Sequence, residues 1–108
     1  MPRVQLPSGA WVEYRDELTT LDRFAVEEAL TVMVGANGKQ QVSLGVLNDQ
    51  RTRLLGRIVT DWSYPFPIPA DMADLVDAKI LIGELLSLRD YNQLVNAIQP
   101  LLDQLKDF

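Results

Sequence analysis

The sequence predicts an α+β fold, mostly α-helical, with an N-terminal β-hairpin packed on about four helices in a single domain over residues 1–108. Three observations lead there. Residues 1–16 alternate apolar and polar side chains around a Pro-Ser-Gly turn. Three stretches downstream repeat their apolar residues at helical spacing. A hydrophobic content of 47% over 108 residues is enough for one buried core, which excludes a wholly disordered chain.

The hairpin comes first. Val4 and Leu6 alternate with polar neighbours, Pro7-Ser8-Gly9-Ala10 has the residues of a turn, and Trp11 to Arg15 returns as a strand rich in β-formers. An isolated hairpin is marginal in water, so this one must pack on helices. Residues 19–62 read as a two-helix region. The first helix starts at Thr19 or Thr20, where a hydroxyl can cap free N–H groups and Asp22 complements the dipole. Leu21, Ala25, Ala29, Val32 and Met33 fall on one stripe, with Asp22, Arg23, Glu27 and Glu28 on the other side. Phe24 lies off the stripe, where it either packs under the hairpin or meets a partner. Residues 35–40 are a connector. Asn37-Gly38 is also a two-residue hairpin signal, which leaves a second hairpin over residues 31–44 open. The second helix runs from Val46 or Asn48 to Asp61, with Leu47, Leu54, Leu55, Ile58 and Trp62 on its stripe and Gly56 inside it.

Residues 63–69 form a Pro-rich junction. Pro65, Pro67 and Pro69 alternate with Phe66 and Ile68, which keeps the backbone extended. Residues 70–108 are an acidic helical region. A helix starts at Ala70 or Asp71 and reaches Ala78, and the apolar run from Ile80 to Leu86 fits either a helical turn or a strand. A last helix, capped by Asp90, carries Tyr91, Leu94, Val95, Ile98, Leu101, Leu102, Leu105 and Phe108 on one stripe. It should kink or restart at Pro100, which removes the hydrogen bond to Asn96.

Charge and missing residue types narrow the function. Residues 1–60 hold seven acidic and seven basic side chains, and residues 61–108 hold eight and three, so the net charge of −5 belongs to the second part. Such a surface repels a phosphate backbone. Arg51, Arg53 and Arg57 are the one basic cluster; without interleaved aromatics it reads as a solvated helix face, and no nucleic-acid partner is expected. Cysteine and histidine are both absent, which removes thiolate chemistry, the commonest general base and the usual zinc, copper and haem ligands. Ser8, Ser43, Ser63 and Ser87 have no histidine to activate them. Asp71, Asp74 and Asp77 lie near one helix face but lack the glycine and terminal Glu of a calcium loop. The expectation is a protein with no catalytic residues, no cofactor and no metal. No apolar run approaches the ~20 residues that span a bilayer, and the N-terminus lacks the apolar block of a signal peptide, so an intracellular chain without membrane contact is expected.

A protein partner remains. Pro-rich segments are ordered before they bind, so docking one costs little entropy. Tyr64 and Phe66, beside Pro65 and Pro67, are the candidate partner-binding residues together with Phe24. Trp62 is expected to be buried and the two other junction aromatics to lie nearer the surface. The competing reading makes Trp62, Tyr64 and Phe66 a lid on the core. Homo-oligomerisation stays open.

The order of short motifs also carries a resemblance. Leu-Pro-Ser-Gly-Ala-Trp-Val precedes Arg-Asp-Glu-Leu-Thr-Thr-Leu-Asp-Arg, followed by Val-Thr-Asp-Trp-Ser, Phe-Pro-Ile-Pro and Asp-Tyr-Asn-Gln-Leu-Val-Asn-Ala-Ile-Gln-Pro-Leu. This layout resembles small proteins from the tail-morphogenesis region of long-tailed, siphovirus-type bacteriophages, especially those of actinobacterial hosts, and is similar to tail assembly chaperones. The resemblance covers most of the chain and carries no residue-level functional motif. It implies a protein of the host cytoplasm that binds the tape measure protein and keeps it soluble until tail-tube subunits polymerise around it, and that is absent from the finished virion. The same features suit a minor structural virion protein at the head–tail interface, or a small prophage-borne regulator.

Overall fold

A computed structural model describes residues 2–27, 44–71 and 75–105. Strands β1 (Arg3–Gln5) and β2 (Trp11–Tyr14) pair antiparallel with Val4 opposite Val12. Between them Leu6 N–H donates to Ala10 O at 2.8 Å and Gly9 N–H to Leu6 O at 2.9 Å. Gly9 takes φ +93°, a conformation that strains any residue with a Cβ. On the outer face Arg3 stacks over the Trp11 ring at 4.1 Å and pairs with Glu13 at 2.6 Å. Val12 and Leu6 point inward and are buried.

The hairpin acquires a third strand that the sequence pattern had placed in a helix. Helix α2 (Leu44–Ile58) stops at Ile58 rather than continuing to Asp61, and β3 (Val59–Trp62) pairs antiparallel with β2, giving the order β1-β2-β3. Tyr14 faces Val59 while Glu13 faces Asp61, so Thr60 is an extra residue on β3 and the ladder bulges there. The bulge turns both Val59 and Trp62, three positions apart, toward the core. A regular strand would send them to opposite faces. β-Branched Val59 and Thr60 favour this extended path.

Helix α1 is described over residues 20–27. Thr19 caps it as expected: Asp22 N–H approaches Thr19 Oγ1 at 3.3 Å, and Thr19 N–H returns to Asp22 Oδ2 at 2.8 Å. The expected faces are rotated, however. Asp22 is fully buried and Val26 is buried, whereas Leu21, assigned to the core stripe, is 64% exposed. Two arginines cause this. Arg15 grips both oxygens of Asp22 at 3.0 and 3.2 Å, and Arg57 Nε donates to Asp22 Oδ1 at 2.6 Å. Arg15 also donates to Arg57 O at 3.2 Å, and its own N–H to Ile58 O at 2.9 Å. Arg57 is therefore committed to a buried ion pair and is not part of a solvated basic face. Burial disfavours the Asp22 carboxylate, but the arginines and the Thr19 N–H outweigh it and hold its pKa far below the usual range.

The core lies where the inner face of the sheet meets the helices. Leu54, Leu55 and Ile58 of α2 pack with Val12, Val59 and Trp62. Pro69–Asp71 form a 3-10 turn against α2 and β3. The run from Ile80 is helical as far as Leu85, the end of α3 (Leu75–Leu85), and Leu86 follows with its N–H on Ile82 O; Ala78, Ile82 and Leu86 recur every four residues as a buried ridge. Lys79 reaches across to Asp49 at 2.8 Å, tying α3 to α2. The last apolar stripe restarts as expected. Helix α4 (Leu88–Ala97) ends before Ile98, and α5 (Gln99–Gln104) begins with Pro100 in its first turn, where a missing N–H costs nothing. Leu94, Val95, Ile98, Leu101 and Leu102 from this pair complete the core. The second hairpin over residues 31–44, the connector, Ala29, Val32, Met33, Asp74 and Phe108 lie outside the described residues, save that Leu44 opens α2.

Trp62 is 6% exposed and Phe66 50% exposed. Trp62→Ala should therefore destabilise the fold by about 3–5 kcal/mol, and Phe66→Ala by about 0.5 kcal/mol or less. Urea denaturation of both variants checks the contrast.

Candidate functional site

The junction is held in place from below by Asp90. The sequence pattern makes Asp90 the cap of the last helix, but the cap is Ser87, whose Oγ accepts the Asp90 N–H at 3.2 Å. Asp90 sits three positions into the helix, 2% exposed. From there its Oδ1 accepts the Ser8 N–H at 3.0 Å, and its Oδ2 accepts the hydroxyls of Ser8 and of Tyr64, the latter at 2.8 Å. Burial works against the charge, yet these donors outweigh it and keep the carboxyl below its ordinary pKa. Burial and the neighbouring carboxylate push the Tyr64 phenol up. Accepting from three donors, the carboxylate fastens the hairpin turn, the junction and α4 together.

The remaining junction residues are pinned one by one. Ser63 Oγ accepts the Trp11 N–H at 2.9 Å, and Ser63 N–H donates to Trp11 O at 3.0 Å. Trp62 and Tyr64 meet edge to face with ring centroids 5.2 Å apart. Trp62 Nε1–H donates to Phe66 O at 3.0 Å, and Phe66 N–H to Tyr64 O at 2.9 Å. Ile68 is half-buried and Pro69 buried, which returns the chain to the core. Phe66 alone among the three aromatics projects, with Pro65 and Pro67 exposed on either side.

The structure thus divides the candidate residues. Trp62 is in the core. Tyr64 is half-buried and its phenol is spent on Asp90, so it is more deeply built in than the sequence pattern indicated. Phe66 is the exposed tip of the same turn. Phe24 stands on a different element, α1, and is 54% exposed rather than packed under the hairpin. Of the basic cluster, Arg53 lies against Asp49 at 3.2 Å and Arg51 against Asn48 at 3.4 Å. Among the described residues no group of three or more His, Cys, Asp or Glu side chains is placed to hold a metal ion, and no helix is long and apolar enough to cross a membrane. Comparison with protein-family models, with curated proteins and with solved structures finds no match to this chain.

Ser8 and Asp90 were not singled out by the sequence as partners. Asp90 carries a local signal: in Ser87-Leu-Arg-Asp90, as in Thr19-Thr-Leu-Asp22, a hydroxyl is followed three residues later by a carboxylate. That spacing marks a helix start but says nothing about a donor 82 positions away.

Three tyrosine and aspartate variants test this account by denaturation. Asp90→Ala should cost about 3 kcal/mol, because it strips Ser8 and Tyr64 of a buried charged acceptor. Tyr64→Phe should cost about 1.5 kcal/mol. Tyr91→Phe should leave stability within about 0.5 kcal/mol of the parent, since the buried Tyr91 hydroxyl has no hydrogen-bond partner among the described residues.

Acid provides a second check. Asp22 and Asp90 both have depressed folded-state pKa values. Their contribution is fully present above the unfolded value near ~3.9 and is lost as pH falls through the folded values. Stability measured against pH should be level near neutrality and decline below about pH 4, with a shallower decline in Asp90→Asn.

Proposed function

We propose that this chain is a non-enzymatic protein-binding factor that acts as a phage tail assembly chaperone, engaging the tape measure protein during tail morphogenesis in the host cytoplasm. The observation that supports a binding role is the presentation of Phe66. An exposed aromatic between two exposed prolines sits on a turn whose backbone is fixed by Trp62, and whose neighbour is fixed by Asp90. Docking such a tip immobilises little, so more of the contact energy appears as affinity. Large aromatics in that setting are the usual anchors of protein interfaces. The phage assignment comes from the motif layout, and the acidic second part of the chain suits a factor that keeps an apolar client in solution.

Co-expression with the tape measure protein tests the reading. The expected outcome is a soluble tape measure that co-purifies with this chain, and a complex weakened by about 2 kcal/mol or more in Phe66→Ala without loss of folding stability. An equally insoluble tape measure with and without this chain would overturn it. Mass spectrometry of purified particles separates the chaperone from a minor virion protein at the head–tail interface, because only the latter stays in the particle.

A further inference from the structure

The geometry points to the outer face of α1 as a docking surface for a basic amphipathic helix, a contact distinct from the Phe66 turn. This rests on the protein-binding reading of the chain and specifies the chemistry of a partner segment. Asp22 and Val26 fix the buried side of α1. Phe24 lies midway between them in sequence, which places it about 180° around the helix from their midpoint, directly away from the core. Leu21, 64% exposed, is its neighbour one turn back. Two large apolar side chains therefore form an exposed ridge on a helix whose inner face is occupied by an ion pair.

A groove runs beside that ridge. Leu18, Thr19, Thr20 and Arg23 border a shallow depression of about 220 Å³ whose far wall is Gln104 and Leu105. Arg23 leans into it toward Gln104 O at 3.5 Å. A ridge of side chains next to a groove along one helix is the relief that a second helix packs against, with its apolar residues at three- and four-residue spacing.

Charge selects the occupant. Arg23, the one charged side chain among the groove's lining residues, is matched by Glu27 at 4.0 Å, whereas Asp16 and Glu17, on the approach to α1, are both exposed and have no ion-pair partner among the described residues. A partner helix flanked by Lys or Arg gains from them, whereas a second copy of this chain would bring the same two carboxylates face to face. The surface therefore fits a basic amphipathic helix better than a self-pairing one.

Two synthetic amphipathic peptides of identical apolar positions test this, one with lysines on its polar face and one with glutamates. Titrated into the whole protein at low salt, the lysine peptide should bind at least about tenfold more tightly and perturb amide resonances over residues 18–27. Phe24→Ser should weaken it by about tenfold or more. The double variant Asp16→Lys, Glu17→Lys should reverse the preference, and Phe66→Ala should leave it unchanged. Phe24, Asp16 and Glu17 are exposed, so circular dichroism of each variant should match the parent. Equal binding of the two peptides, no binding of either, or indifference to Phe24→Ser overturns the proposal. If the tape measure complex forms but the lysine peptide fails, only the α1 surface is wrong. If the lysine peptide binds as described and the tape measure does not, the phage assignment falls and the α1 surface stands.

Discussion

One carboxylate joins parts of the chain that no continuous element connects. Asp90 takes hydrogen bonds from the hairpin turn through Ser8 and from the junction through Tyr64, while its own N–H belongs to the start of α4. Remove its charge and the turn, the junction and the helix lose their shared acceptor together. The exposed position of Phe66 follows from this, because Tyr64 is anchored on one side of it and Pro69 is buried on the other.

Asp22 performs the same kind of service at the other side of the sheet, by different means. Both residues stand third in a helix behind a hydroxyl cap, and both are buried. Asp22 is neutralised by two arginines, one at the exit of β2 and one near the end of α2. Asp90 has only neutral donors and the positive end of α4 to favour its charge. In each case a local helix-start motif has been turned inward and made to hold a remote strand or turn. That inward rotation is also what leaves Leu21 and Phe24 outside.

The parts of the fold legible in the sequence were those governed by short-range rules. The hairpin, its glycine turn, the threonine cap of α1 and the restart at Pro100 all depend on residues a few positions apart. The third strand was not legible for a specific reason. Val59 and Trp62 are three residues apart and both buried, a spacing that continues the helical stripe from Leu54, Leu55 and Ile58. A bulge at Thr60 reproduces that spacing in an extended chain, so periodicity alone assigns it to a helix. The face of α1 was misjudged because the rule that charge points outward fails when Arg15 and Arg57 converge on Asp22. Of the candidate site, the division between a buried Trp62 and an exposed Phe66 was legible, while the attachment of Tyr64 to Asp90 was not, since it depends on how α4 lies against the sheet.

The pairing of the first turn with the last helices has a consequence for synthesis. Ser8 and Asp90 are separated by 82 positions, and Tyr14 reaches the Ala97 carbonyl across 83. Strands β1 and β2 leave the ribosome well before Asp90 and Ala97, the residues that clamp them. Before α2 and β3 emerge the hairpin has only its own two-stranded ladder, which is marginal in water, and until Asp90 follows its turn still lacks the carboxylate that fastens Ser8. Closing loops of this length puts the fastening of the hairpin turn late in the order of events, after the strand and helix that lie between its two halves have been made.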